Sequence, residues 1–316
     1  MLSSAEIIVL FTLAAICLFA LYFEARVLLA ALRKNDSESG QFFRKGSVRI
    51  LAVALPVAVA LGSIDGCLIE PDWVVVEELA LSSPLIKKDL TVVQISDLHI
   101  EGYGKRHDKA LRSVEEMKPD IIVLTGDYLN GSRFRYLPEL EKFLSRLYAP
   151  HGVYAIEGNF EFGQCPTSLF EKLGVKWLKN ESIVIEDAEI CLCGLRCTWD
   201  LKPEDRNFLE RTRADHEGCY KILLSHYPNH VEEPEVRGFD LYLCGHTHGG
   251  QVRLPLYGAL ITLSKLGKKY ECGYYKYGKT HVYVNRGLGL EGGCAPRVRF
   301  LCKPEVTVIR LAPLLQ

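Results

Sequence analysis

Five stretches between residues 90 and 248 share one pattern: a short apolar run of strand-forming residues ends abruptly in polar ones. Leu90–Ser96 runs into Asp97-Leu98-His99, Ile121–Thr125 into Gly126-Asp127, and Gly152–Glu157 into Gly158-Asn159. Ile222–Ser225 runs into His226, and Leu241–Cys244 into Gly245-His246-Thr247-His248. Continuous apolar runs of this length predict strands covered on both faces. Between some of them the period changes. Ala110, Leu111, Val114 and Met117 fall at helical spacing, as do Leu140, Phe143, Leu144 and Leu147. Strands alternating with helices predict a layered α/β fold. In such folds ligands bind beyond the carboxyl ends of the strands, where these polar residues fall.

The N-terminus reads differently. From Ile7 to Phe23, Thr12 is the one conventionally polar residue and nothing is charged. The run is at the short end of the roughly 17–25 residues that cross a bilayer as helix. A cleaved signal peptide fits less well, because Glu6 precedes the run without any Lys or Arg and no small-x-small site comes after it. A second apolar run, Val48–Ile64, carries Arg49 and Pro56. The linker between them holds Arg33, Lys34, Arg44, Lys45 and Arg49 against Asp36 and Glu38, which predicts a cytoplasmic linker. If 48–64 spans, the chain from residue 65 onward lies outside the cytoplasm; if it turns back, that chain stays inside. The expected organisation is a membrane anchor over 1–64 (span 7–23, second apolar segment 48–64), a connector over 65–89, and one domain over 90–316.

Charge changes the picture little. The 38 Lys+Arg against 39 Asp+Glu give a net charge of −1, without the basic excess of nucleic-acid binders. The 11 cysteines are odd in number and irregular in spacing, which favours a reducing compartment. Cys191, Cys193 and Cys197 read as small buried hydrophobes, since zinc sites usually need a second half-site.

The polar residues at the strand ends are Asp97, His99, Asp127, Asn159, His226, His246 and His248. Singly, each has a bland reading as a helix cap, a turn or a hydrogen-bonded loop residue. Together, carboxylate, imidazole and amide oxygen suit divalent Mn, Fe or Zn. Seven ligands exceed what one first-row ion takes and fit two ions sharing a bridging carboxylate.

These motifs, in this order and with the tail Gly249-Gly250-Gln251, resemble the calcineurin-like metallophosphoesterase superfamily. The resemblance runs from about 90 to 312 and includes Asn285–Gly289 and Pro304–Val308. It implies an α/β fold of four layers, a β-sandwich flanked by helices, completed by strands at His281–Asn285 and Glu305–Leu311. Here an N-terminal membrane helix or helices would precede it. Carried over by position, Asp97, His99 and His248 would hold one ion. Asn159, His226 and His246 would hold the other, and Asp127 would bridge. Asp127, His246 and Asn159 would then be the catalytic residues, with Mn²⁺ as the metal ahead of Fe²⁺ or Zn²⁺.

One position departs. The family places His after the Asn, where it protonates the leaving oxygen; here Phe160 stands, which has no proton to give. That loss matters least for a leaving group already stable as an anion, such as phosphate with a second pKa of about 6. Phe160 therefore favours phosphoanhydrides over alkyl esters. An anchored enzyme of that kind resembles the LpxG-type UDP-2,3-diacylglucosamine hydrolases of lipid A biosynthesis in chlamydiae. The resemblance implies cleavage to UMP and 2,3-diacylglucosamine 1-phosphate by metal-hydroxide attack at phosphorus. It also implies a place at the bacterial inner membrane, with the catalytic domain on the cytoplasmic face. The alternatives are an anchored phosphoesterase or phosphodiesterase of another substrate, and a metal-binding scaffold without catalysis.

Three further features remain. The apolar stretch Leu254–Leu263 is either a helix on the core or a surface for acyl chains or the bilayer. Lys265, Lys268, Lys269 and Lys276, interleaved with Tyr270, Tyr274, Tyr275 and Tyr277, read as solvated surface or as a contact with anionic lipid. Lys105, Arg106, Arg133 and Arg135 are candidate phosphate clamps.

Overall fold

The computed structural model describes residues 18, 21–29, 46–130, 134–161, 167–291 and 297–314. The chain divides into two compact units, Met1–Ile69 and Glu70–Gln316. In the first, the apolar run expected at 48–64 forms helix α1, Gly46–Ile64. Most of the expected span 7–23 lies outside the described residues. Among the described residues no helix is long and apolar enough to cross a membrane, so the expected membrane helix finds no support there.

The second unit is built on two six-stranded sheets. Its strands in chain order are β1 (Val75–Ser83), β2 (Leu90–Ile95), β3 (Ile121–Leu124), β4 (Val153–Ala155), β5 (Val175–Trp177), β6 (Glu181–Ile185) and β7 (Ile190–Gly194). Next come β8 (Tyr220–Leu224), β9 (Leu241–Cys244), β10 (Arg253–Leu254), β11 (Gly258–Ala259), β12 (Gly273–Tyr277), β13 (Thr280–Val284) and β14 (Glu305–Pro313). One sheet runs β1-β14-β2-β3-β4-β5 and the other β12-β13-β9-β8-β7-β6. β2 to β5 are mutually parallel, as are β7, β8, β9 and β13. The stretch 65–89, expected as a connector, thus supplies β1, a nine-residue edge strand paired in parallel with β14.

Each central strand is apolar on both faces because both are covered. On β2, Val93 and Ile95 face one core while Leu90 and Val92 face another. On β3, Ile122 and Leu124 face the first core and Ile121 and Val123 the second. The first core packs helices α2 (Lys105–Met117), α3 (Leu137–Leu144) and α4 (Thr167–Lys172) on one sheet, through Leu111, Val114, Leu140, Phe143 and Phe170. The second core, with Leu192, Ile222, Leu224 and Leu243, lies between the sheets. The third, with Leu223, Tyr242 and Val282, lies under helix α5 (Pro203–Asp215) through Leu209. The order is helix, sheet, sheet, helix, the four layers expected. Cys191 and Cys193 are core residues of the third cluster.

Two expectations shift in detail. Strand β14 extends two residues beyond the expected Leu311. Leu254–Leu263 is not a helix: Arg253–Leu254 pairs antiparallel with Gly258–Ala259, and the chain beyond is irregular. An apolar run of that length does not distinguish the alternatives.

Candidate metal centre

The two sheets bring the carboxyl ends of β2, β3, β4, β8 and β9 to one place. Beyond those ends the loops are tied to one another through the backbone. Asp97 N–H donates to Gly126 O at 3.0 Å, His99 N–H to Asp127 O at 3.0 Å, and Gly245 N–H to His226 O at 3.1 Å. Such short, sharply turning loops force unusual conformations. Asp97, His99, Asp127, His246 and His248 all have left-handed φ, between 39° and 70°. Non-glycine residues are uncommon there, and clusters of them mark sites where strain is held by the surroundings. Glycine makes the close approach possible: a Cβ on Gly158 would lie 2.1 Å from Asp127 Oδ1, and one on Gly245 would lie 2.1 Å from Asp97 Oδ2.

The seven expected ligands come together as two groups. Asp97, His99 and His248 converge in one, and Asp127, His226 and His246 in the other, with ligand atoms within 4.8 Å of one another in each. Asn159 Oδ1 joins the second at 2.9 Å from His226 Nε2. His99 Nε2 and His248 Nε2 lie 3.0 Å apart, and His248 Nε2 is 3.5 Å from Asp97 Oδ1. Asp127 Oδ2 sits between the groups, 3.4 Å from His99 Nε2 and 3.3 Å from His226 Nε2. That is the position of a bridging carboxylate.

The donor set fits two divalent cations. Metal ligands must present lone pairs, so the imidazoles must be neutral. Burial holds His99 down to about 4 and His246 to about 3, and drives His248 well below its ordinary range. His226 goes the other way: burial would lower it, but the Asp127 carboxylate beside it raises it to about 10. Burial also pushes Asp127 up, yet His226 overrides this and holds it below the usual carboxylate range. Asp97 rises to about 7, through burial and the nearby Asp127 charge. Without a cation His226 is the main positive charge facing these buried acids, and a cation bound there would add to it.

Supporting residues orient the ligands. His226 Nδ1 faces Thr125 O at 2.8 Å and His246 Nε2 faces Leu263 O at 3.1 Å, leaving the other ring nitrogens to point inward. Ser96 Oγ donates to Asp97 Oδ2 at 2.5 Å, and Phe160 N–H to Asp127 Oδ1 at 3.0 Å. The Phe160 ring meets His99 edge-on, with centroids 4.9 Å apart. Buried Glu161 accepts from the N–H groups of Asp127, Tyr128 and Gly158 at 2.8–2.9 Å.

The four candidate clamps are not equivalent. Arg133 lies outside the described residues. Arg135 is exposed, its guanidinium over the Tyr136 ring, and Lys105 is exposed at the start of α2. Arg106 is half-buried, with Nε lacking a hydrogen-bond partner among the described residues, and its charge bears on His99. Sequence reasoning missed Arg299 and Glu291. Fully buried Arg299 donates to the carbonyls of Arg286, Gly287, Gly289 and Cys302, and its charge bears on His99 and His248. Glu291 Oε2 lies 3.8 Å from His248 Nε2. Neither comes directly after a strand in the repeated pattern, so no local signal marked them.

Comparison with known proteins agrees with this arrangement. Residues 90–250 match the family model of the calcineurin-like phosphoesterases. The uncharacterized metallophosphoesterase YkuE of Bacillus subtilis is 34% identical, over 77% of this chain and 87% of its own. Phosphodiesterase YaeI of Escherichia coli is 28% identical, over 85% of this chain and 98% of its own. UDP-2,3-diacylglucosamine pyrophosphatase LpxG of Chlamydia muridarum is 24% identical, over 70% and 83%.

Proposed function

The chain belongs to the calcineurin-like phosphoesterase family of metal-dependent hydrolases, and on that premise we propose that it cleaves the phosphoanhydride of a lipid-linked nucleotide, UDP-2,3-diacylglucosamine, to UMP and the lipid 1-phosphate. The observation that carries this reading is Phe160. It stands next to Asn159, edge-on to His99, and offers no proton to a departing oxygen. A phosphate leaving group needs little protonation near neutral pH, because its second pKa is about 6. The name of the relative LpxG supports the same substrate class.

Asp97, His99 and His248 would hold one ion, Asn159, His226 and His246 the other, with Asp127 shared. Mn²⁺ suits this mixed donor set, as Fe²⁺ and Zn²⁺ do. When bound, such ions supply Lewis acidity toward phosphoryl oxygens and a water of lowered pKa. The chain's own part is orientation and charge. Thr125 O and Leu263 O set the direction of His226 and His246. Arg106 and Arg299 place positive charge behind His99, which favours an anionic substrate. On the strength of the apolar run 7–23 we place the protein at the bacterial inner membrane, with the catalytic domain on the cytoplasmic face, where UDP-linked lipids are made. Nucleic acid is not among its partners in this reading.

A second reading, hydrolysis of phosphodiesters, is favoured by the relative YaeI, which covers more of the chain than LpxG. Incubation with UDP-2,3-diacylglucosamine and Mn²⁺ in ¹⁸O water separates the two. Labelled UMP in the mass spectrum places attack at the α-phosphorus. No UMP, together with cleavage of bis(p-nitrophenyl) phosphate, transfers the assignment to diesters. A chain that retains less than one ion after Mn²⁺ loading is a scaffold.

A further inference from the structure

The β10–β11 hairpin begins five residues after the ligand His248 and is fixed to the metal-site loop: Arg253 Nη1 donates to Gly249 O at 3.0 Å, and Arg253 Nη2 pairs with Glu271 at 2.8 Å. Its tip is anomalous. Leu256 is fully exposed and has a left-handed φ of 64°. That conformation is natural for Gly and tolerated by Asn, and it is unfavourable for a bulky apolar residue. Nearby Leu301 repeats the anomaly, 48% exposed with φ of 53°. The two leucines line one shallow groove with Leu254, Pro255 and Tyr257. Backbone preference accounts for leucine at neither position, and burial within the unit does not account for it at Leu256.

The surroundings are amphipathic. The Lys268 ammonium lies 3.3 Å from the centroid of Tyr257, itself 54% exposed. The Lys303 ammonium, two residues beyond Leu301, lies 3.4 Å from the centroid of Trp73, which is 50% exposed. Buried Glu70 ties these segments together, accepting from Leu301 N–H at 2.8 Å while its carbonyl accepts from Trp73 N–H at 2.9 Å. Protruding leucines, half-exposed Trp and Tyr, and lysines laid over the rings are the composition of a surface that sits in lipid headgroups. The positive charges complement an anionic leaflet.

We propose that the hairpin tip with Leu256, together with Leu301, Trp73 and the lysines over Tyr257 and Trp73, is a bilayer-docking surface that holds the metal centre against an anionic membrane. A second copy of the chain is a poorer occupant, because a stable protein interface takes roughly 20–30 residues a side and this patch offers a handful. The inference stands whether the substrate is an anhydride or a diester, since it concerns where the site is held.

The test uses the full chain with vesicles of phosphatidylcholine, with and without phosphatidylglycerol, and reads hydrogen exchange of the segments 252–260 and 299–304. Both segments should exchange more slowly on anionic vesicles, with β2 unchanged. Leu256→Asn with Leu301→Asn should abolish that protection while leaving the melting temperature unchanged or higher, because Asn is easier in the left-handed region. Lys303→Gln should reduce protection about fivefold. Equal exchange on both vesicle types overturns the proposal. So does a melting temperature lowered by the Asn variants, which would make the leucines structural, or lipid-free protection that grows with protein concentration, which would make the face a self-contact.

Discussion

The two halves of the metal centre orient their ligands by different means. In the half formed by Asp97, His99 and His248, all three residues have left-handed backbones. The Nδ1 atoms of both imidazoles lack a hydrogen-bond partner among the described residues. Their rings are set by packing, His99 against Phe160 and against His248 at centroid distances of 4.9 and 4.8 Å. In the half formed by Asn159, His226 and His246, only His246 is left-handed, and each imidazole is aimed by a backbone carbonyl. Ring contacts occur in both halves, His246 meeting Tyr227 with centroids 4.4 Å apart, so what separates them is that a carbonyl aims each imidazole of the second half and neither imidazole of the first. Changes to the Phe160 ring should therefore act on the first ion more than on the second, whereas changes to the shared carboxylate should act on both.

The largest effect should come from removing what the halves share. Asp127→Ala deletes the carboxylate that lies between His99 and His226, so both ions should be lost and kcat/KM should fall by about 10³-fold or more. Elemental analysis of the purified variant checks this, and a variant that still holds two ions would remove Asp127 from the bridging position. Next comes the support of that bridge. Glu161→Gln replaces a carboxylate that accepts three backbone N–H bonds, one of them from Asp127 itself. Affinity for both ions should fall about 10–100-fold, the usual consequence of losing an outer-shell partner. A loss confined to one ion in a calorimetric titration would mean that Glu161 does not act through the bridge.

The same physics decides how much of the molecule is legible in the chain. The central strands could be read because sheets covered on both faces leave continuous apolar runs, and the ligands could be read because they come directly after those runs. Strand β1 could not: it is an edge strand, half-buried along most of its length, and its Val-Val-Glu-Glu start reads as surface. Glu161 follows directly after Phe160, but its role is not legible in the chain, since its partners are backbone N–H groups that no sequence pattern displays. Arg299 is folded back onto carbonyls from 286–289 and 302, a closure that only the tertiary structure brings about.

A smaller, uneven effect should result from Ser96→Ala. Ser96 Oγ donates to Asp97 Oδ2; Asp97 is a ligand of the first half, and its carboxylate also accepts from the His246 N–H of the second. Affinity for the first ion should drop about tenfold and that for the second by less, so a two-site titration should change from overlapping steps to separated ones. Equal weakening of both sites would mean that the halves are coupled as tightly through Asp97 as through Asp127, and the contrast between them would be lost.

The smallest effect expected on the anhydride is the most informative about the substrate. Phe160→His places an imidazole edge-on to His99, in the half whose imidazoles no carbonyl aims. If the leaving group is a phosphate, turnover of the anhydride should change by less than about threefold, because little protonation is needed at departure. An alkyl phosphate ester leaves as an alkoxide and gains most from a proton donor, so it should rise within the range of about 10²–10⁴-fold that acid catalysis supplies. The two substrates, assayed on one protein preparation, separate the roles of residue 160. If it serves as a missing acid, the ester alone responds. If it serves only as the packing partner of His99, both respond together, and a gain on the anhydride as large as that on the ester would withdraw the argument from Phe160 to phosphoanhydrides.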